Sequence, residues 1–248
     1  MSGHSKWHNI RLRKQRVDLV RGKLFSKLAR EIAVTAKEGG GNPDGNPRLR
    51  TAIDRAREAG MPNDNIQRGI QRGTGGIEGA AYETITYEGY AHGGVAVLVE
   101  VLTDNRNRAA SDIRNLFTKY GGSLSEAGSV SWMFDRLGLI TIDRSKVKED
   151  DVLSTALEAG AEDVRTSGDV YEVVTSAEQF FRVKQAVERA RLPIVSAEIT
   201  MVPKSTVRVE GKDAQHVLRL MEALEDHDDV QHAYANFDIP DEILQQVG

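Results

Sequence analysis

From Val17 onward apolar residues recur at spacings of three and four: Val17, Val20, Leu24, Leu28 and Ile32, with Phe25 and Ala36 beside them. That period predicts one helix over about 17–37. The stretch "EGGGNPDGNPR" (Glu38 to Arg48) is too rich in Gly, Asn and Pro to continue it. Asn46 followed by Pro47 has the form of a helix start, with Asn as cap and Pro at the first helical position. A second helix is expected over about 47–59, burying Leu49, Ile53 and Ala56, and Gly60 ends it. A third, shorter helix begins at Pro62 and Asn63, turns Ile66 and Ile70 inward, and stops at "RGTGG" (Arg72 to Gly76).

Beyond Gly79 the period falls to two, the repeat of a strand with one buried face. Tyr82 to Tyr90 and Gly93 to Thr103 read as paired strands, the second apolar enough to lie in the middle of a sheet. A helix over about 106–120 turns Ile113, Leu116 and Phe117 inward. Strands are expected at Ser129 to Asp135, Leu137 to Asp143, Asp163 to Ser167, Val170 to Thr175, Ile194 to Val202, Thr206 to Glu210 and Val230 to Phe237. Helices are expected at Glu149 to Ala159, Ala177 to Ala190 and Lys212 to Leu224. Leu137 to Val202 therefore spells β-α-β-β-α-β. With that block excised, Gly93 to Asp135 and Thr206 to Phe237 spell it again, with Tyr82 to Tyr90 as an extra strand. The expected class is α+β with three domains: a small helical bundle with its basic tail (1–80), a discontinuous ferredoxin-like α/β domain (81–136 with 204–248), and a second ferredoxin-like domain inserted in it (137–203).

Charge adds what periodicity cannot. The chain holds 33 Lys+Arg and 37 Asp+Glu, a net charge of -4. Residues 1–78 carry 16 of those cations and 8 of the acids, which leaves 17 and 29 for the rest. The first sixteen residues include Lys6, Arg11, Arg13, Lys14 and Arg16 and no acid. With about 100° per residue, Arg16, Lys23, Lys27 and Arg30 fall in one stripe away from the apolar arc of the first helix. Like charges at such spacings cost an isolated helix a few tenths of a kcal/mol each, a cost that an anion alongside offsets. The partner expected from this pattern is a polyanion, with His4 and Trp7 of the tail among the binding residues; Trp7 reads either as an aromatic that stacks on a base or as a staple onto the helical domain.

A second anion site is expected at "TDNRNR" (Thr103 to Arg108), where a strand hands over to a helix capped by Asp104 or Asn105 and brings in Arg106 and Arg108. Pairing of both arginines with nearby acids is the alternative there. "EDHDDVQH" (Glu225 to His232) reads as a solvated turn between the last helix and strand. With no Cys in the chain, disulfides, thiol catalysis and Cys-ligated zinc drop out. Two pairs, His4 with His8 and His227 with His232, are too few ligands for a metal site. The Gly39 to Gly45 loop lacks the Lys-Ser/Thr ending of a phosphate-binding loop, and no known catalytic constellation is present. Neither enzyme activity, cofactor nor metal is expected. No apolar run is long enough to cross a bilayer, so a cytoplasmic protein without membrane partners is expected.

"GHSKWHNIRLRK", "RGKLFSKLAREI", "GGGNPDGNPRLRTAIDRAREAGMPNDNI", "GGVAVLVEVLTDNRNR" and "GSVSWMF" resemble the signature blocks of the YebC/PmpR family, in register from about Ser2 to Pro240. The resemblance implies three domains, the first helical and the others α/β with one inserted in another. Family members are described both as DNA-binding transcriptional regulators and as translation factors acting at the ribosome, including a mitochondrial activator of cytochrome oxidase synthesis and bacterial factors that relieve stalling. The expectation drawn from residues and resemblance together is a non-enzymatic nucleic-acid-binding regulator of gene expression. DNA is the first candidate target and rRNA or tRNA on the ribosome the alternative, with protein contacts left to the acidic α/β domains.

Overall fold

The computed structural model describes residues 18–76, 82–240 and 243, with side chains from Gly22 onward. Three helices come first: α1 (Asp18–Gly39), α2 (Pro47–Glu58) and α3 (Asn63–Gly73). Their shared core is Leu28, Ile32, Ala36, Leu49, Ile53, Ala56 and Ile66, with Phe25 and Ile70 half-buried against it. Each large side chain fully buried here contributes about 1.5–3 kcal/mol. Leu24, expected inward from its spacing, is 40% exposed instead. Asn46 caps α2 as its sequence position predicts: its Oδ1 accepts from the Leu49 N–H at 3.1 Å. The same side chain donates from Nδ2 to the carbonyls of Thr35 and Gly40, at 2.8 and 2.9 Å, and so ties α2 to the end of α1.

Helix α3 packs against α1 through Gly69 and Gly73. A Cβ at Gly69 would lie 3.0 Å from Ile32 Cγ2, and one at Gly73 only 2.1 Å from the carbonyl oxygen of Ala33. Two glycines one turn apart thus let the backbones approach more closely than any side chain permits. Gly73→Ala should force the helices apart and lower stability by about 1–3 kcal/mol, the usual cost of overpacking. A urea titration followed by circular dichroism would measure it, and an unchanged midpoint would contradict the close approach.

The first sheet is built from β1 (Glu83–Tyr90), β2 (Ala96–Thr103), β3 (Ser123–Ser125) and β9 (Val230–Ala235), in the order β3-β1-β2-β9 and antiparallel throughout. Its core-facing residues, among them Val97, Val99, Val101 and Ala233, pack on Ile113 and Phe117 of α4 (Arg106–Lys119) and on Val217, Leu218 and Met221 of α7 (Gly211–Glu225). The run Ser129 to Asp135, expected as a strand of this sheet, is instead a 3-10 turn at Ser131–Met133 followed by the first residues of β4 (Phe134–Asp143). What fixes that segment is Glu88, a buried carboxylate on β1 that accepts the backbone N–H groups of Gly128, Val130 and Ser131 at 2.7–2.9 Å. Burial alone would raise the Glu88 pKa; the three amide donors outweigh it and hold the group below its ordinary range.

The strand expected over 206–210 shrinks to β8 (Val207–Arg208), which pairs in parallel with β10 (Phe237–Asp238) away from the main sheet. The two sides of β2 are held by β1, the partner read from sequence, and by β9. Val97 and Val99 of β2 already pair with Gly89 and Tyr87 on one side and with Ala235 and Ala233 on the other. No edge of β2 is left.

Residues Trp132–Thr206 form a second compact unit. Here β4 (Phe134–Asp143), α5 (Glu149–Glu158), β5 (Asp163–Ser167), β6 (Val170–Ser176), α6 (Phe180–Arg189) and β7 (Ile194–Pro203) follow the β-α-β-β-α-β order read from the sequence. The sheet order is β5-β6-β4-β7, and Ile140, Ile142, Val173, Val183 and Val187 lie buried between the sheet and its two helices. Strand β4 runs unbroken through Arg136, which pairs with Met201 of β7. Mixed helix and antiparallel sheet with a helical N-terminal region place the chain in the α+β class.

Candidate nucleic-acid interface

Of the candidate binding residues, His4, Lys6, Trp7, Arg11, Arg13, Lys14 and Arg16 lie outside the described residues. Lys23, Lys27 and Arg30 follow one another along α1 as the wheel predicts. Within the chain each of them meets a backbone carbonyl. Lys23 Nζ donates to the Asp226 carbonyl at 3.3 Å, Lys27 Nζ to the Glu225 carbonyl at 2.5 Å, and Arg30 to the Asp228 carbonyl. These oxygens close helix α7 and the turn behind it, where the negative end of the helix dipole favours cations. The helical region's basic stripe is thus held by the chain's own acidic turn, and "EDHDDVQH" is a docking element rather than a solvated loop.

Asp229 is the centre of that turn. Its side chain is 5% exposed and receives Arg30 at 3.0 Å, Arg108 at 2.9 Å and the Thr103 hydroxyl at 2.9 Å. Its backbone holds the same spot: the carbonyl accepts from Leu102 N–H at 2.7 Å, and the N–H donates to His227 Nδ1 at 3.1 Å. Burial pushes the Asp229 carboxyl upward, but hydrogen bonds from Arg108 and Thr103 and the charges of Arg30 and Arg108 outweigh it, leaving the pKa below the ordinary carboxylate range.

At the second expected anion site, the alternative of pairing with nearby acids is met for Arg108. Asn105 does cap α4, accepting from the Arg108 N–H at 3.0 Å. Yet the Arg108 guanidinium is occupied by Asp229 and by Asp104, the latter at 2.8 Å, and those hydrogen bonds raise its pKa further. The carboxylate expected at this helix start is therefore internal. Arg106 is exposed and makes no ion pair among the described residues. Two of the blocks that carry the resemblance, through Arg30 of "RGKLFSKLAREI" and Arg108 of "TDNRNR", converge with the acidic turn on one buried aspartate, a meeting that none of the three segments announces alone.

Around α2 the remaining cations are also matched: Arg48 with Glu38 at 2.5 Å, Arg50 with Asp44 at 4.0 Å, Arg55 with Glu31 at 3.0 Å and Arg57 with Asp54 at 3.7 Å. Arg68 and Arg72, four residues apart on α3, have no such partner among the described residues. They border a cleft of about 330 Å³ between α1, α3 and Tyr82, into which Phe25, Arg30 and Asn65 also project. The Arg30 guanidinium sits 5.8 Å from the centre of the Tyr82 ring, within cation-π range. The charge count pointed to the helical region but not to this cleft. The legible signal was Asn65, Arg68 and Arg72, spaced three and four apart beside the two close-packing glycines.

Two family models match the chain: the TACO1/YebC protein N-terminal domain over residues 5–76, and the TACO1/YebC second and third domain over residues 82–237. The chain belongs to the TACO1/YebC family. A probable transcriptional regulatory protein of Dictyoglomus thermophilum is 60% identical to it over 248 residues, covering all of both chains. One from Syntrophobacter fumaroxidans is 56% identical, again end to end. The crystal structure of a conserved hypothetical protein from Aquifex aeolicus superposes with a TM-score of 0.83 at 50% identity, covering 93% of this chain and 95% of that one. For this family member, no helix among the described residues is long and apolar enough to cross a membrane, and no cluster of three or more His, Asp or Glu is placed to hold a metal ion.

Proposed function

We propose that this protein is a non-enzymatic regulator of gene expression that binds nucleic acid through its helical N-terminal region and basic tail. The observation that carries this reading is the pair Arg68 and Arg72. Every guanidinium around α2 has a carboxylate within 4.0 Å, whereas these two face an open, aromatic-walled cleft without one. The acid-free tail adds five more cations to the same region. Phosphate contacts from Lys and Arg supply affinity and salt dependence without reading sequence. DNA-level control is the reading that the names of the relatives favour. The same cations serve a ribosomal RNA equally well, since the phosphate charge is shared.

We take the three buried clusters as three domains, with the acidic α/β parts offering surfaces to protein partners. Crosslinking in cells followed by sequencing of the recovered nucleic acid tests the target. Enrichment of promoter DNA is expected for transcriptional control, and enrichment of rRNA or tRNA would move the regulator to the ribosome. Recovery of no nucleic acid above a control would overturn the proposal.

A further inference from the structure

The cleft beside α3 has the features of a site for one nucleotide. Its volume, about 330 Å³, lies at the lower end of the range for small-molecule pockets and is far too small for a duplex. A base pair inside a helix shows a protein only its edges and its phosphates, so a concave site can take a base only after the base has left the stack. Three kinds of group meet here that suit such a base. Phe25 and Tyr82 present aromatic surface, and Tyr82 already carries Arg30 near its ring. Asn65 brings a side-chain amide, both donor and acceptor, that makes no hydrogen bond among the described residues. Arg68 and Arg72 supply two guanidinium groups without a carboxylate. Like charges one turn apart are mildly unfavourable on a bare helix, and a phosphate between them reverses the sign.

We infer that this cleft holds a single unstacked nucleotide of a single-stranded nucleic acid, its base against Phe25 and Tyr82, its edge read by Asn65, and its phosphate on Arg68 and Arg72. The inference rests on the nucleic-acid reading above and narrows it from polyanion to single strand.

The test uses the full chain and two fluorescent probes, a single-stranded RNA of about ten nucleotides and an RNA duplex of the same length, titrated by anisotropy at fixed salt. Ser26 lines the cleft from the exposed side of α1, so Ser26→Trp fills the space without removing charge. This variant should bind the single strand roughly tenfold more weakly, the order expected for one lost stacked base, and the duplex as before. Asn65→Ala should change the preference among homopolymers while leaving duplex binding alone. Far-UV circular dichroism and the melting temperature establish that each variant is folded. If Ser26→Trp leaves single-strand affinity intact, or lowers both affinities by the same factor, the one-nucleotide site is overturned while nucleic-acid binding stands. Failure of the unaltered chain to bind either probe, or single-stranded and duplex DNA of the same length, would overturn both.

Discussion

Replacing Lys6, Arg11, Arg13 and Lys14 together by alanine is expected to weaken polynucleotide binding by orders of magnitude. Each phosphate contact releases condensed counterions, so the slope of log affinity against log salt should flatten by about 0.9 per lost contact on duplex DNA, and by roughly three to four in all if every one of the four side chains reaches a phosphate. On single strands the change per contact is about 0.7. Matched titrations at several salt concentrations read this directly. The cations of α1 serve as an internal contrast. Lys23 and Lys27 already donate to the carbonyls that close α7. Changing those two to alanine should leave the salt slope nearly where it was and show instead as reduced thermal stability. An unchanged slope in the tail variant would remove the tail from the interface.

Asp229→Asn is expected to destabilise the protein by about 2–4 kcal/mol, on the scale of breaking a buried, hydrogen-bonded charge pair when its guanidinium partners keep some access to water. The substitution keeps the shape and removes the charge that Arg30, Arg108 and the Thr103 hydroxyl share. The pH dependence follows from the sign of the shift. A carboxyl whose pKa is depressed on folding contributes stability above its unfolded value of about 3.9, and loses that contribution as pH falls toward the folded value. The gap in urea midpoint between unaltered chain and variant should therefore be full at pH 7 and shrink below about pH 4. A gap that does not change with pH would mean that the Asp229 charge does not hold the network together. Because Arg30 also lies over Tyr82, loosening Asp229 should carry through to the cleft wall.

Much of this was open to reading from local pattern, for a physical reason. Helix and strand periods, Asn46 as a cap, and the β-α-β-β-α-β order of the Trp132–Thr206 unit depend on residues within a few positions of one another, and a short segment either satisfies them or does not. The same holds for the excess of positive charge in the first 78 residues, which is a property of composition. Strand partners are another matter. Val97 of β2 has two neighbours, Gly89 and Ala235; the first follows from two strands joined by a short turn, but only the folded sheet decides that β9 takes the other side while Val207–Arg208 pairs elsewhere. Ser129 to Asp135 alternates well enough to be a strand, but Glu88, about forty residues earlier, takes its backbone amides and turns it into a loop.

Charge shows the same division. The sequence determined that α1 would carry a cationic stripe and that α4 would begin with arginines, since both follow from spacing on a helix. It could not say whether the answering anion belonged to another molecule or to this one. Only the tertiary structure brought Asp229, some two hundred residues from Arg30, into reach of Arg30 and Arg108, and only the same packing left Arg68 and Arg72 facing open space. Electrostatic attraction acts through distance in space, and distance in space is what a linear chain does not reveal until it has folded.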